Sequence, residues 1–275
     1  MSNDLLSEIV AQKQQEVAKL CADNDAARLR VRAVEIRKEM TPLRLREALE
    51  EPAPALKIIA EFKRMSPSRG VIRAELSPAE TARLYERGGA CAISVLTDEQ
   101  YFGGSINDLI AVRASTRLPI LRKDFIIDPI QIYEAAISGA DAVLLITAVL
   151  DDSPLEKMRA MAEDELGLDA LVEVHNSEEL QRALNSGAKL IGVNNRDLRT
   201  FEVSLQTSDR LIAGAPPDRV MISESGLQDA VSLRHLQGLG YRGFLIGEHL
   251  MRASDPEAVL RDLCANVDDR QMISS

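Results

Sequence analysis

The sequence predicts one (β/α)8 barrel, and three observations carry that prediction. After residue 50, short apolar runs alternate strictly with helical stretches. Eight such runs follow one another at roughly 20 to 35 residues, the length of a βα unit. Polar residues fall at the C-terminal ends of six of them, in phase with positions that alternation would turn inward. Strict β/α alternation implies a parallel sheet, and eight units in about 220 residues favour a closed barrel over an open doubly wound sheet. No GxGxxG and no P-loop follows any run, which removes the usual signals of the open alternative.

Residues 1–50 read as a helical extension and residues 51–275 as the barrel. In the extension, Leu5, Ile9, Val10, Val17 and Leu20 fall on one helical face, and a second helix is expected over Ala26–Met40. Glu51-Pro52-Ala53-Pro54 punctuates the chain before the first run. The expected strands are Lys57–Phe62, Cys91–Leu96, Pro119–Lys123, Ala142–Ile146, Ala170–Val174, Leu190–Asn194, Val220–Ser223 and Gly243–Ile246. Helix starts are marked by Ser77-Pro78, Asp128-Pro129, Ser177-Glu178-Glu179 and Asp255-Pro256. Helix ends are marked by Gly88-Gly89, Gly139, Gly187 and Gly240.

Composition narrows the function. The chain has 275 residues, 45% apolar and 28% charged, with a net charge of −10. Such an acidic chain is a poor match for nucleic acid or an anionic membrane, whose phosphates call for Lys and Arg. No apolar run approaches the roughly 20 residues needed to span a bilayer, and the N-terminus lacks a signal-peptide core. Cys21, Cys91 and Cys264 are scattered and odd in number, which fits a reducing, cytoplasmic setting. His175, His235 and His249 are equally dispersed, so no zinc site is expected. An anionic substrate here requires a local cluster of cations.

Strand parity supplies one. Ile59, Glu61 and Lys63 share a face, as do Leu121 and Lys123 with Phe125 just beyond, Leu171 and Glu173, Gly192, Asn194 and Arg196, Ser223 and Ser225, and Leu245 and Gly247. If these faces point inward, two carboxylates, two ammonium groups, an amide and a guanidinium meet at one mouth. Barrel active sites lie at that end, and unpaired buried charge is too costly for structure alone to place there. Ser225-Gly226 and Gly247-Glu248, after the seventh and eighth runs, suit a phosphate site, with a short helix starting near Gly247. Ser66-Pro67-Ser68-Arg69-Gly70, after the first run, is read as a loop that could add a phosphate or lid contact.

The runs IIAEFKRMSPSRG, ISVLTDEQYFGGS, LRKDFIIDPIQIYEA, GADAVLLI, LVEVHNSEEL, IGVNNRDLRTFEV, ISESGL and LIGEHLM occur in order on all eight units. Together with the EIVxxKxxEVAxL run of the extension they closely resemble the indole-3-glycerol-phosphate synthase family. The resemblance implies ring closure, with loss of carbon dioxide and water, of 1-(2-carboxyphenylamino)-1-deoxyribulose 5-phosphate in tryptophan biosynthesis. It implies no cofactor and no metal, and it allows association with other enzymes of that pathway. Matched position by position, it implies a general acid at Lys123, a general base at Glu173, and Lys63 as partner of the substrate's anionic groups and second proton donor. Glu61, Asn194 and Ser225 complete the polar site. Arg196 is matched to the anthranilate carboxylate, and Phe125, Leu96 and Leu144 to the aromatic ring. Ser66, Gly226, Gly247 and Glu248 are matched to the phosphate. Ile130 stands where the family commonly has Tyr, Arg69 where it has Lys, and His249 where it has a small residue; these departures bear on affinity. Two other readings share part of the pattern. One is another phosphate-binding barrel, such as the neighbouring pathway isomerase or a Schiff-base aldolase with Lys123 as nucleophile. The other is a catalytically silent barrel used for assembly, which has no need of Glu61, Lys63, Lys123, Glu173 and Asn194 together.

Overall fold

The computed structural model describes residues 5–53, 55–67, 70–73, 75–197, 200 and 202–265. Pro54, Ser68 and Arg69 of the sequence reading lie outside them. Eight parallel strands close into a barrel in chain order. They are β1 (Ile58–Phe62), β2 (Ala92–Leu96), β3 (Ile120–Lys123), β4 (Ala142–Ile146), β5 (Asp169–Val174), β6 (Leu190–Asn194), β7 (Val220–Glu224) and β8 (Gly243–Ile246). β8 closes on β1 with Leu245 opposite Ile59. The chain is a TIM barrel, and each strand boundary falls within one residue of the run read from the sequence.

Period-two alternation explains the two cores. Ile59, Leu121, Leu171, Leu190, Ile222 and Leu245 fill the barrel interior. The intervening residues, among them Ile58, Phe62, Val95 and Val172, meet the helices outside. Several helices stop where a glycine takes a left-handed backbone, as at Gly139 (φ 91°) and Gly240 (φ 117°), a conformation that costs a side-chain-bearing residue about 1 kcal/mol. Within the segment after β1, which the sequence reads as a loop, Met65–Ser66 pairs antiparallel with Gly70–Val71.

The extension contains three helices where the sequence pointed to two: α1 (Leu5–Asp23), α2 (Ala26–Lys38) and α3 (Arg44–Glu50). They reach both ends of the barrel. α3 is short, and it exists because it seats Leu45 and Leu49 against the interior at the N-terminal end of the strands. Burying each contributes roughly 1.5–3 kcal/mol, and Leu45→Ala would leave a cavity in the floor. A Cβ on Gly243, at the start of β8, would stand 2.8 Å from Leu49 Cδ2, so a side chain here would have to displace that methyl group. Charges fasten the same end. Arg44 and Arg113 donate to Asp141 at 3.0 and 2.9 Å. Arg37 donates to the carbonyls of Leu166 and Gly167, both at 2.9 Å. The backbone N–H of Arg46 donates to Asp169 at 2.9 Å.

α1 covers the opposite end. Its buried stripe is Ile9, Lys13 and Val17, so a lysine interrupts an otherwise apolar i, i+4 row. Lys13 is only 3% exposed and lies 2.9 Å from Asp124 Oδ1, 3.0 Å from Asp98 Oδ2 and 2.6 Å from Glu16. Burial opposes its charge, but Asp124 and Asp98 outweigh that and hold the ammonium above its ordinary range. Asp124 follows Lys123 at the end of β3, so α1 is tied next to the polar strand ends.

Candidate active site

A cavity of about 560 Å³ opens at the C-terminal end of the strands. All the residues singled out in the sequence line it: Glu61, Lys63, Ser66, Leu96, Lys123, Phe125, Leu144, Glu173, Asn194, Arg196, Ser225, Gly226, Gly247 and Glu248. Of the departures, His249 lines it too. Ile130 is buried in the helix Pro129–Ile137, away from the lining.

Lys123 stands at the centre. Its Nζ is 2.8 Å from Glu173 Oε2 and 2.5 Å from Glu224 Oε2. Asn194 Nδ2 donates to Glu173 Oε1 at 3.1 Å. Lys63 Nζ donates to Glu61 Oε1 at 2.5 Å. Burial pulls the Lys123 ammonium down, but the charges of Glu173, Glu224 and Glu61 together hold it above its usual range. Burial pushes both glutamates up and Lys123 pulls both down, so their other neighbours separate them. With His175 assisting, Lys123 holds Glu173 well below the carboxylate range. Glu224 feels the negative charge of Glu173 as well as its own burial and ends above that range.

Glu224 was not among the residues picked from the sequence, and its place corrects the parity assigned to the seventh strand. Ser223 and Ser225 were expected to share the inward face. The inward set is instead Val220, Ile222 and Glu224, because Val220 and Ile222 are the pair that fills the interior. Ser223 turns outward, where its hydroxyl accepts from Asn195 Nδ2 at 3.0 Å and lies 2.8 Å from Ser208 Oγ. Ser225 reaches the cavity by another route: the chain turns there with φ 68°. Ending the strand one residue late, at Glu224, was the signal that would have found the third carboxylate.

Two glycines make room for these charges. A Cβ on Gly192 would collide with Glu224 Oε1, and one on Gly247 would collide with Glu61 Oε1 and stand 3.0 Å from Lys63 Nζ. Gly247 precedes the short helix Glu248–Arg252, as expected. Gly226 has φ 78°, and a Cβ there would press on Val203 Cγ1 at 2.5 Å. Val203 is bridged to Arg196, so this strand-like pairing holds both residues at the cavity wall.

The cavity is divided by polarity. Phe102 and Phe125, with ring centroids 6.3 Å apart, form an apolar wall with Leu96, Leu144 and, from α1, Leu6 and Ile9. The sequence reading did not include Phe102, Leu6 or Ile9. Ser66, Gly226, Gly247 and Glu248 line another part, and the hydroxyl of Ser66 is buried with no protein partner.

A TIM barrel with buried acid–base groups, an apolar wall and glycine-rich turns after its last two strands defines an enzyme for a small anionic substrate. The structure is similar to thiamine phosphate pyrophosphorylase from Pyrococcus furiosus, with TM-score 0.56 and 16% identity over 80% of this chain and 96% of that one. It is equally similar to N-acetylmannosamine-6-phosphate 2-epimerase from Clostridium perfringens, with TM-score 0.56 and 15% identity over 73% and 89%; at such identities the likeness concerns the fold alone. Sequence comparison is more specific. The family model of indole-3-glycerol phosphate synthase matches residues 6–263. The chain is 52% identical to the indole-3-glycerol phosphate synthase of Carboxydothermus hydrogenoformans, over 82% of this chain and 86% of that one. It is 45% identical to that of Albidiferax ferrireducens, over 95% and 98%. The chain belongs to the indole-3-glycerol phosphate synthase family, carboxy-lyases of tryptophan biosynthesis.

Proposed function

We propose that this cavity closes the indole ring of 1-(2-carboxyphenylamino)-1-deoxyribulose 5-phosphate, with Lys123 and Glu173 as the acid–base pair. The observation that carries the reading is the Glu173–Lys123–Glu224 arrangement, in which one ammonium is gripped by two buried carboxylates inside a cavity that has both an apolar and a polar half.

The chemistry needs these groups. The aryl carbon bearing the carboxylate attacks the ketose carbonyl, a carbon–carbon bond forms, and the carbonyl oxygen becomes an alkoxide. A cation must stabilise and protonate that oxygen, the role assigned to Lys123 with Lys63 as the second cation. The carboxylate leaves as carbon dioxide, and its bonding electrons restore the aromatic ring. The new hydroxyl then departs as water with a proton from an acid, and the proton lost in forming the indole double bond goes to Glu173. Asn194 orients Glu173, Glu61 orients Lys63, and Glu224 is the second carboxylate that holds Lys123. Leu96, Phe125 and Leu144 hold the ring, Arg196 its carboxylate, and Ser66, Ser225, Gly226, Gly247 and Glu248 the phosphate end. Residues 1–50 and 51–275 act as one domain, because α1 supplies part of the cavity wall. The scattered free thiols of Cys21, Cys91 and Cys264 support a cytoplasmic setting.

The test is turnover of the carboxyphenylamino substrate followed by indole fluorescence. Lys123→Met and Glu173→Gln should each lower kcat by about 10²-fold or more while the protein stays folded. Near-native turnover in either would remove that residue from the pair.

A further inference from the structure

His175 stands behind Glu173. It follows β5 directly and is not among the cavity-lining residues. Its imidazole lies between two carboxylates, with Nε2 3.3 Å from Glu173 Oε1 and Nδ1 2.9 Å from Glu179 Oε2. Glu179 is itself fixed. Its Oε2 accepts from the backbone N–H of His175 at 2.8 Å and from the Thr147 hydroxyl at 2.9 Å. Its Oε1 accepts from Asn176 Nδ2 at 2.7 Å. Lys123 faces Glu173 from the other side. Arg182 completes the charged surroundings: it donates to the carbonyls of Thr147 and Leu150 and pairs with Asp152.

A neutral imidazole has one N–H and one lone pair. Placed here it could donate to one carboxylate and would turn its lone pair on the other. Only the imidazolium presents an N–H to both. We propose that His175, braced by Glu179, is a positioning residue that remains an imidazolium through neutral pH and holds Glu173 as an anion aimed into the cavity. This rests on the reading of Glu173 as the base. The electrostatics agree: burial works against the charge, but the adjoining carboxylates of Glu173 and Glu179, the second hydrogen-bonded to Nδ1, raise the imidazole to about 10. Lys123 is held higher still, so it does not titrate in the same window.

The experiment compares the native protein with His175→Gln, Glu179→Gln and Glu173→Gln. Histidine is labelled with 15N, and the resonances lost in His175→Gln identify the ring. At pH 8 that ring should be doubly protonated, and Glu179→Gln should lower its titration midpoint. His175→Gln should lower kcat about tenfold with KM within about twofold. Native kcat should fall toward the variant's level as pH rises through about 10, and the variant should lack that fall. A neutral His175 ring at pH 8, or matching kcat–pH profiles in native and His175→Gln proteins, overturns the proposal. Should His175→Gln not fold, the midpoint shift and a smaller kcat loss in Glu179→Gln decide the matter; neither appearing overturns it. Glu173→Gln separates the two readings. Full turnover there would fail the base assignment, whereas a large loss there beside a neutral His175 fails only the present proposal.

Discussion

Gly192 and Glu224 share one space inside the barrel: the carboxylate lies where a side chain at 192 would begin. The missing Cβ lets Glu224 reach Lys123 at 2.5 Å. Gly192→Ala should push Glu224 off Lys123, lower kcat/KM at least about tenfold, and cost roughly 1–3 kcal/mol through overpacking. Denaturant titration and steady-state kinetics check both parts; unchanged kinetics in the Ala variant would show that Glu224 can move without consequence.

Lys13 should link stability to binding. Lys13→Met leaves Asp98 buried without its cation and Asp124 with Arg122 alone, a change that costs about 3–5 kcal/mol. It also loosens α1, which carries Leu6 and Ile9 into the apolar wall. KM should therefore rise more than kcat falls, and deletion of residues 1–40 should lower both stability and affinity. A folded Lys13→Met protein with native KM would reduce α1 to a fastening.

Asp169 makes stability depend on pH. Burial raises its carboxyl from 3.8 to about 6. A carboxyl raised on folding contributes its stability fully below the unfolded value and loses it as pH rises through the folded one. The native protein should therefore weaken between about pH 4 and 7 through this group, by up to roughly 3 kcal/mol. Asp169→Asn retains an acceptor for the Arg46 N–H and lacks the titration. Its melting temperature should match the native one near pH 4 and exceed it near pH 8; a constant difference across that range would contradict the assignment.

Ser225 holds a left-handed backbone at the cavity. Ser225→Ala keeps that strain and loses the hydroxyl. Ser225→Gly relieves roughly 1–2 kcal/mol of strain, more than the roughly 0.5–1 kcal/mol that the extra chain entropy of glycine costs. Both should raise KM, but the Gly variant should melt higher than the Ala variant. The reverse order in calorimetry would mean that the turn is unstrained.

The sequence displayed the barrel because alternation and spacing are local, and local signals sum over eight units. The polar strand ends were legible for the same reason, as at Glu61, Lys123 and Glu173. Glu224 was not, since inward parity at β7 depends on which of Val220 and Met221 fills the interior, a packing choice made between strands. Lys13 and His175 were missed on different grounds. Lys13 looks like a solvated helical charge until Asp98 and Asp124 are brought to it from other strands. His175 is one of three scattered histidines until the helix Ser177–Asn185 folds Glu179 back against it. α3 carries too few residues to announce itself, and it is defined by the floor it fills.

The extension that spans both ends of the barrel also sets an order on folding. Arg44 reaches Asp141 across 97 residues, Arg46 reaches Asp169 across 123, and Arg37 reaches Leu166 across 129. Helices that precede the barrel in the chain are thus among the last to find their partners, with α3 waiting for β8 before Leu49 can meet Gly243. Loop closure over such separations is slow, and until it happens the apolar faces of α1 and α3 stand in water beside an unfinished sheet. Refolding after dilution from denaturant should show this as a late phase, in which the barrel strands are protected from hydrogen exchange before the amides of α1 and α3.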